Sequence, residues 1–213
     1  MTITLSRHGI LFVVSAPSGG GKSTILRALL SSDDTLDYSV SVTTRPPRPR
    51  EVHGQSYWFV AEEEFKRMIK EGQFYEWARV HDYLYGTRKD LIAEKLSKGR
   101  DVLLDLDVQG ALNVKLLSPD AVIIFLLPPS LAELEKRLRE RKLDSEEIIQ
   151  VRLSNGRKEI EHTGKYDYVI VNDVLDDTIE TAKAIIRAER ARTSRLTVAV
   201  GNSITKRPEN EVS

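Results

Sequence analysis

The sequence predicts an α/β fold built on a parallel sheet, and three features of its 213 residues carry that prediction. Four apolar segments lack the alternation of a half-exposed strand, which indicates strands buried on both faces. Helical patterns separate them, and strand–helix alternation is typical of parallel sheets. A glycine-rich loop joins the first apolar segment to a helix. The predicted strands are Ile10–Ser15, Val102–Leu106, Val122–Leu127 and Tyr168–Val171.

Helical patterns fill the intervals between these strands, with apolar residues recurring three and four positions apart. Ser130 and Glu133 have the spacing of a capping box at a helix start, and Asp177 with Glu180 marks a later start. The predicted helices are Ser23–Leu30, Glu62–Glu71, Arg88–Lys98 and Ser130–Arg139.

Charge and composition narrow the possible partners and chemistry. Lys plus Arg and Asp plus Glu both total 32, so the chain has no net charge that would favour binding to nucleic acid or to a membrane surface. The chain has no cysteine, which excludes disulfides and thiolate catalysis and is typical of a reducing compartment. The apolar stretch before residue 16 is too short for a signal peptide or a membrane span. We therefore expect a cytoplasmic protein.

One segment, residues 38–87, breaks the alternation of strands and helices. Its short β-rich pieces surround one helix and a loop rich in proline and arginine. A highly charged segment interrupts the core later in the chain, and the sequence after residue 195 is polar and weakly patterned. The predicted organisation is a core of residues 1–37 and 88–195, an insertion of 38–87, a lid of 136–152 within the core, and a loosely ordered tail of 196–213.

A phosphate-binding loop is predicted between the first strand and the first helix. Residues 16–24, APSGGGKST, follow the pattern G-x-x-x-x-G-K-[ST], except that Ala16 replaces the first glycine. Glycines let backbone N–H groups turn toward phosphates, while Lys22 bridges the β- and γ-phosphates and Ser23 binds Mg²⁺. The alternative is a glycine-rich turn without a ligand. The candidate ATP-binding residues are Ala16, Pro17, Ser18, Gly19, Gly20, Gly21, Lys22, Ser23 and Thr24.

The insertion carries candidates for binding a second substrate. Arg45 and Arg48 flank a stiff proline pair, and two guanidinium groups three residues apart can clamp a phosphate. Tyr57 and Tyr85 offer hydroxyl donors. The alternatives are solvated surface charges for the arginines and core aromatic rings for the tyrosines.

Several motifs in succession resemble the guanylate kinase family. They are SVSVTTRPPRPREVHGQSYWFV, GQFYEWARVHDYLYGT and LLDLDVQGA, and the resemblance runs from about Gly9 to Arg190. It implies a single-domain P-loop kinase fold of the bacterial type, with a parallel core sheet, a small β-rich GMP-binding insertion and a short helical lid. The implied activity is phosphorylation of GMP to GDP by ATP and Mg²⁺ in purine nucleotide metabolism, with dGMP as a further acceptor.

The resemblance also implies roles for individual residues. The acceptor phosphate is assigned to Arg45, Arg48, Tyr57 and Tyr85, and the guanine base to Ser41, Glu76, Thr87 and Asp107. Adenine is assigned to Asn172 and Asp173, and Mg²⁺ to Ser23 and Asp105. Charge on the transferring group is assigned to Lys22, Arg45, Arg137, Arg141 and Arg152.

The chemistry of Glu76 agrees with its assignment. Guanine presents two neighbouring donors that one carboxylate can accept together, whereas adenine presents an acceptor at N1, and an unpaired buried charge is costly. The alternatives are a solvated strand carboxylate for Glu76 and a cap of the following helix for Asp107. Because the acceptor oxygen is already anionic, the expected in-line transfer needs no general base.

Two other functions remain open at this point. A non-enzymatic binding module of the same fold typically lacks the P-loop lysine, whereas Lys22 is present here. A P-loop kinase for another phosphate monoester, such as a ribose bisphosphate, needs no base-reading residues. The expected partners are GMP and ATP, without nucleic acid or membrane, and the oligomeric state is left open.

Overall fold

Twelve strands form three sheets in the computed structural model, which describes residues 2–80, 82–140, 144–200 and 203–205. All four predicted strands are confirmed, with ends within one residue of the prediction. The strands are β1 Ile3–Arg7, β2 Leu11–Ser15, β3 Leu36–Tyr38, β4 Val42–Thr43, β5 Trp58–Phe59, β6 Phe74–Val80, β7 Tyr83–Arg88, β8 Asp101–Asp105, β9 Val122–Leu127, β10 Tyr168–Val171, β11 Leu196–Val200 and β12 Ser203–Thr205.

The four predicted helices are also confirmed, and the later start lies two residues before Asp177. The hydroxyl oxygen of Ser130 accepts from the backbone N–H of Glu133 at 3.0 Å, which is half of the expected capping box. The helices are α1 Lys22–Ser32, α2 Glu62–Lys70, α3 Lys89–Ser97, α4 Val108–Leu117, α5 Leu131–Glu140, α6 Glu146–Ile160 and α7 Leu175–Ala191. None of the helices described has the length and apolar composition needed to cross a membrane.

The central sheet has five parallel strands in the order β10-β9-β2-β8-β3. Successive residues of β2 face opposite sides, so Phe12 and Val14 join one apolar cluster while Leu11 and Val13 join another. Both clusters are buried beneath helices, which explains why the β2 sequence shows no polar alternation. In such sheets, ligands bind beyond the carboxyl ends of the strands.

A second sheet, with the order β5-β4-β7-β6, packs against α2 and lies within residues 42–88. The Phe65 ring of α2 stacks on the Phe74 ring of β6 with 4.6 Å between centroids. Both rings are buried, together with Val42, Met68 and Leu84. This second sheet thus has a small core of its own, and it contacts the rest of the protein through Tyr75 of β6, whose hydroxyl lies 3.0 Å from that of Ser118.

Helices α5 and α6 pack on each other through Leu134, Leu138 and Ile149. Gly156 is a residue of α6 for which the sequence suggested no role. A β-carbon at Gly156 would lie 3.0 Å from a methyl group of Leu134 and 3.5 Å from Pro17. The glycine therefore allows α6 to approach both α5 and the predicted phosphate loop closely.

The chain after residue 195 differs from the predicted loosely ordered tail, because β11 pairs with β1 and β12 pairs with β11, both antiparallel. This three-stranded sheet is joined to the core through the fully buried Asp101, which accepts from both Nη atoms of Arg7 and from Nε of Arg190. Short strands of this kind escape sequence analysis because their pairing joins opposite ends of the chain. Residues 201, 202 and 206–213 of the predicted tail lie outside the described residues.

Candidate active site

The loop between β2 and α1 has the geometry of a phosphate cradle. Gly19 and Gly21 have φ angles of 95° and 84°, a region that residues with a β-carbon rarely adopt. The Gly20 N–H donates to the Pro17 carbonyl at 2.8 Å, which closes the turn. Ala16 is buried and is not among the described residues with positive φ, so an alanine is accommodated where the motif usually has glycine.

Lys22 is held at the first position of α1 by the end of β8. Its Nζ lies 2.5 Å from Oδ1 of Asp105 and donates to the Leu106 carbonyl at 2.9 Å. The Ser15 hydroxyl donates to the carbonyls of Leu106 and Asp107, at 3.0 and 3.1 Å, so the two neighbouring strand ends are fixed together. The lysine is thereby positioned at the loop by the sheet beneath it.

A cavity of about 320 Å³ surrounds the loop and is bordered by Asp107 and Glu159 in addition to loop residues. Sequence reasoning missed Glu159, which stands in a charged stretch of α6 where nothing sets it apart from its neighbours. Its Oε2 is buried without a hydrogen-bond partner. Burial raises the pKa of Glu159 and the Asp107 charge raises it further, while Lys22 opposes both effects.

The residues around this cavity are compatible with Mg²⁺. No group of three or more His, Cys, Asp or Glu side chains that could hold a metal occurs among the described residues. Magnesium usually takes only one or two protein ligands and completes its shell with water and substrate phosphates. Ser23 borders this cavity, and Asp105 lies beside the loop through its contact with Lys22, so two oxygen donors fit that pattern.

A second cavity, of about 380 Å³, lies on the other side of the loop and is lined in part by Arg137, Asn172 and Asp173. Asn172 is buried, and its Nδ2 donates to the Gly20 carbonyl at 2.7 Å. Nη2 of Arg137 donates to the Asn172 carbonyl at 3.1 Å. Asp173 is exposed at the cavity. Asn172 thus contacts the phosphate loop itself, whereas Asp173 is available to a ligand.

We expect Asn172→Ala to weaken ATP binding about tenfold, because the Gly20 carbonyl loses a partner whose loss costs about 1–3 kcal/mol. Calorimetric titration with ATP and with GMP measures the effect on each substrate, and GMP binding should not change. Asn155→Ala, an exposed asparagine in α6, is the matched control. Equal weakening of both substrates would show a general loss of structure instead.

Of the three predicted lid arginines, the structure brings two to the phosphate loop. Nη1 of Arg152 donates to the Ser18 hydroxyl at 2.8 Å, and its Nη2 lies 3.0 Å from Asp144. Arg137 borders the second cavity. Arg141 lies outside the described residues. Arg139 pairs with glutamates on both α5 and α6.

The candidate phosphate clamp is assembled from the loop before β5 and from Tyr85 of β7. The Arg45 side chain is buried, and its guanidinium carbon lies 5.5 Å from the centre of the Tyr57 ring. The Tyr57 and Tyr85 rings meet edge to face at 5.9 Å. Arg48 is exposed, with its side chain free to meet a ligand at the surface. Glu51 binds Arg45, and the sequence motifs did not indicate this contact.

Glu76 and Thr87 face each other across β6 and β7. The buried Thr87 hydroxyl donates to Oε1 of Glu76 at 2.6 Å, so this hydrogen is directed at the carboxylate rather than at a ligand. Burial raises the pKa of Glu76, the Thr87 hydrogen bond lowers it, and the Asp107 charge raises it again. Ser41 is half-buried one residue before β4. The pair Glu76–Thr87 forms a fixed acceptor for neighbouring donors.

Asp107 connects the two halves of the site. Its Oδ1 accepts from the Gly110 N–H at 2.7 Å, so it does cap α4, the alternative left open by the sequence. Its carboxylate also borders the phosphate-loop cavity, and its charge acts on both Glu76 and Glu159. Capping therefore fixes one carboxylate at the junction between the nucleotide loop and the second site.

The parallel central sheet and the glycine-rich loop before α1 together define a P-loop kinase of the α/β class. The family model for guanylate kinase matches residues 8–189. The guanylate kinase of Caldanaerobacter subterraneus subsp. tengcongensis is 47% identical over 91% of this chain and 94% of that relative. That of Zymomonas mobilis is 48% identical over 92% of each chain. The crystal structure of guanylate kinase from Anaplasma phagocytophilum has a TM-score of 0.69 and 36% identity, covering 91% of this chain and 92% of that one.

The chain belongs to the guanylate kinase family, and its activity is the ATP-dependent phosphorylation of GMP to GDP. The predicted α/β P-loop kinase fold is confirmed. These matches argue against the two alternatives that the sequence analysis left open. They were a kinase of another phosphate monoester and a non-enzymatic binding module.

Proposed function

We propose that the γ-phosphoryl group of ATP passes in line to a phosphate oxygen of GMP or dGMP without a general base. The observation that carries this proposal is the position of Asp107, which borders the nucleotide loop and acts electrostatically on the base-reading Glu76. Asp107 is thus common to the proposed ATP site and the proposed GMP site. Since the acceptor oxygen is already anionic, rate enhancement rests on positioning and charge stabilisation.

On the donor side, Lys22 and backbone N–H groups within the loop of residues 16–24, to which Pro17 contributes none, hold the ATP phosphates. Ser23 and Asp105 hold Mg²⁺, which when bound neutralises charge on the phosphate oxygens. Asp173 contacts the adenosine, and Asn172 supports the loop from behind through its bond to Gly20.

On the acceptor side, the phosphate of GMP is held by Arg45, Arg48, Tyr57 and Tyr85. Glu76 accepts the two neighbouring donors of guanine, with Ser41 directed at the opposite edge of the base and Asp107 beside the exocyclic amine. Thr87 serves this recognition chiefly by orienting Glu76, since its hydroxyl donates to that carboxylate.

Arg137, Arg141 and Arg152 supply positive charge around the transferring group. Closure of the lid, residues 136–152, and of the insertion, residues 38–87, over the core of residues 1–37 and 88–195 excludes water as a competing acceptor. The cytoplasmic location and the absence of nucleic-acid or membrane partners remain predictions, and the oligomeric state remains open.

A coupled ADP-release assay with GMP, dGMP, AMP, CMP, UMP and a ribose monophosphate tests this function. We expect turnover with GMP and dGMP, with each other acceptor slower by about 10³-fold or more because none of them presents two neighbouring donors to Glu76 as guanine does. ADP release without any acceptor reports hydrolysis and should be negligible. Folded protein that binds GMP without phosphorylating it would contradict the proposal, and equal rates with AMP would remove the assigned base-reading role.

A further inference from the structure

The candidate phosphate clamp contains an acidic side chain, Glu51, which is bound to both of its arginines. Both of its carboxylate oxygens accept from Nη2 of Arg45, at 2.7 and 2.9 Å. One of them also accepts from the backbone N–H of Arg48 at 2.7 Å. The Glu51 N–H in turn donates to the Arg48 carbonyl at 3.0 Å. The main chain therefore fixes the carboxylate independently of Arg45.

The backbone just before Glu51 is in an unfavourable conformation. Arg50 has a φ of 75° and is the one non-glycine residue with positive φ among those the structure describes. Such a conformation persists only where surrounding contacts hold it. The Arg50 side chain is exposed, whereas its neighbour Glu51 is tied to both Arg45 and Arg48. The loop is therefore held in a strained shape that directs Glu51 back at the clamp.

Arg45 requires a counter-charge of its own. Its side chain is only 9% exposed and lies near the rings of Tyr57 and Phe59, and a guanidinium so enclosed is costly without a partner. The contacts with Glu51 and with the Pro46 carbonyl use at most three of its five N–H groups, and a hydrogen bond with Tyr85 engages a further one. At least one N–H group therefore stays available for a phosphate.

The charge of Glu51 persists at neutral pH. Arg45, and next the backbone N–H of Arg48, hold the pKa of the Glu51 carboxyl below its usual range. Protonation therefore does not release Arg45 when an anionic substrate arrives. A carboxylate that stays ionised and is held by the main chain is suited to orient the arginine permanently, as carboxylates do for metal-binding histidines.

We propose that Glu51 is a positioning residue for the acceptor, holding the Arg45 guanidinium in the orientation from which its available N–H meets the GMP phosphate. This inference rests on the proposed function, which assigns Arg45 to that phosphate. It predicts that Glu51 contributes to the binding of GMP and not to the binding of ATP. Its charge, and not the shape of the loop alone, is the property that matters.

The test compares Glu51→Gln and Glu51→Asp with wild type in steady-state kinetics and calorimetric titration. We expect Glu51→Gln to raise the KM and Kd for GMP about tenfold, while the KM for ATP stays unchanged. Removing a residue that orients a ligand-binding side chain has an effect of this size in metal sites. Glu51→Asp keeps the charge and should recover part of the affinity. Glu62→Gln, a partly exposed glutamate of α2 that pairs with Lys66 and Arg79, is the matched control.

Two further variants separate the possible explanations. Arg45→Lys should itself raise the KM for GMP; an unchanged KM would overturn the clamp assignment and this inference with it. If Arg45→Lys is impaired but Glu51→Gln is not, only the role of Glu51 is refuted.

Arg50→Gly relieves the backbone strain at residue 50. Recovery of GMP affinity in the double variant Arg50→Gly/Glu51→Gln would therefore show that Glu51 merely shapes the loop. Persistence of the defect there supports the proposal, and Glu51→Asp provides the comparison if Glu51→Gln fails to fold.

Discussion

Replacing Lys22 with methionine lowers kcat by about 10²–10³-fold, the effect expected when one charge-stabilising donor at a reacting phosphate is removed. The lysine Nζ is already fixed by Asp105 and the Leu106 carbonyl, so the charge is in place before substrate arrives. Methionine keeps much of the side-chain volume but cannot donate to either partner. Single-turnover phosphoryl transfer under saturating ATP and GMP measures the loss directly.

The controls for Lys22 separate charge, geometry and folding. Lys183→Met removes a surface lysine paired with Glu180 in α7 and should leave kcat unchanged. Lys22→Arg keeps the positive charge but replaces a compact ammonium with a planar fork, so we expect only partial recovery. A Lys22→Met variant that folds normally and retains full kcat would exclude Lys22 from charge stabilisation.

Replacing Glu76 with glutamine lowers kcat/KM for GMP by about 10²-fold or more, while the KM for ATP is unchanged. The carboxylate has two acceptor oxygens, whereas an amide presents one acceptor and one donor, so one guanine N–H faces another N–H group. The preference for GMP over AMP should collapse accordingly. Parallel assays with GMP and AMP give the ratio, and Glu63→Gln, an exposed glutamate of α2, is the control.

The acid limb of the pH profile gives an independent test of the same residue. Burial, the largest effect, raises the pKa of Glu76 above its usual value, and the Asp107 charge adds to this against the opposing Thr87 hydrogen bond. Only the ionised carboxylate accepts both guanine donors. As the pH is lowered, the KM for GMP should therefore begin to rise while the pH is still above the ordinary pKa range of glutamate. Glu76→Gln should lack this limb. An identical limb in both proteins would assign it to another group.

The central sheet and its helices were predictable because their signals are local. An unbroken run such as Ile10–Ser15 indicates burial on both faces, and the capping pair at Ser130 marks a helix start without reference to the rest of the chain. β1 and β11 gave no such signal, since their apolar residues become one face only when Ile3 lies opposite Val200. That pairing depends on the whole fold between them.

The same difference between local and long-range signals applies to the residues of the candidate site. The phosphate loop and its lysine follow from a short motif, whereas the tie between Asn172 and Gly20 spans 152 positions in the chain. Glu159 reaches the phosphate cavity only because α6 packs against the loop through Gly156. Glu51 is close to Arg45 in sequence, but the bend at Arg50 that brings it back is unexpected for a residue other than glycine.

The small sheet that joins the two ends of the chain also determines how the protein responds to stretching. Ile3 lies opposite Val200 and Arg7 opposite Leu196, so tension between the chain ends reaches the pairs of this antiparallel ladder one after another. Such a ladder unzips at low force, whereas strands loaded along their length must break many hydrogen bonds together. In a pulling experiment we expect the ends to peel away first and the Arg7–Asp101–Arg190 contact to mark the point at which the core begins to bear load. The strands that carry the nucleotide loop are thereby shielded from tension on the termini.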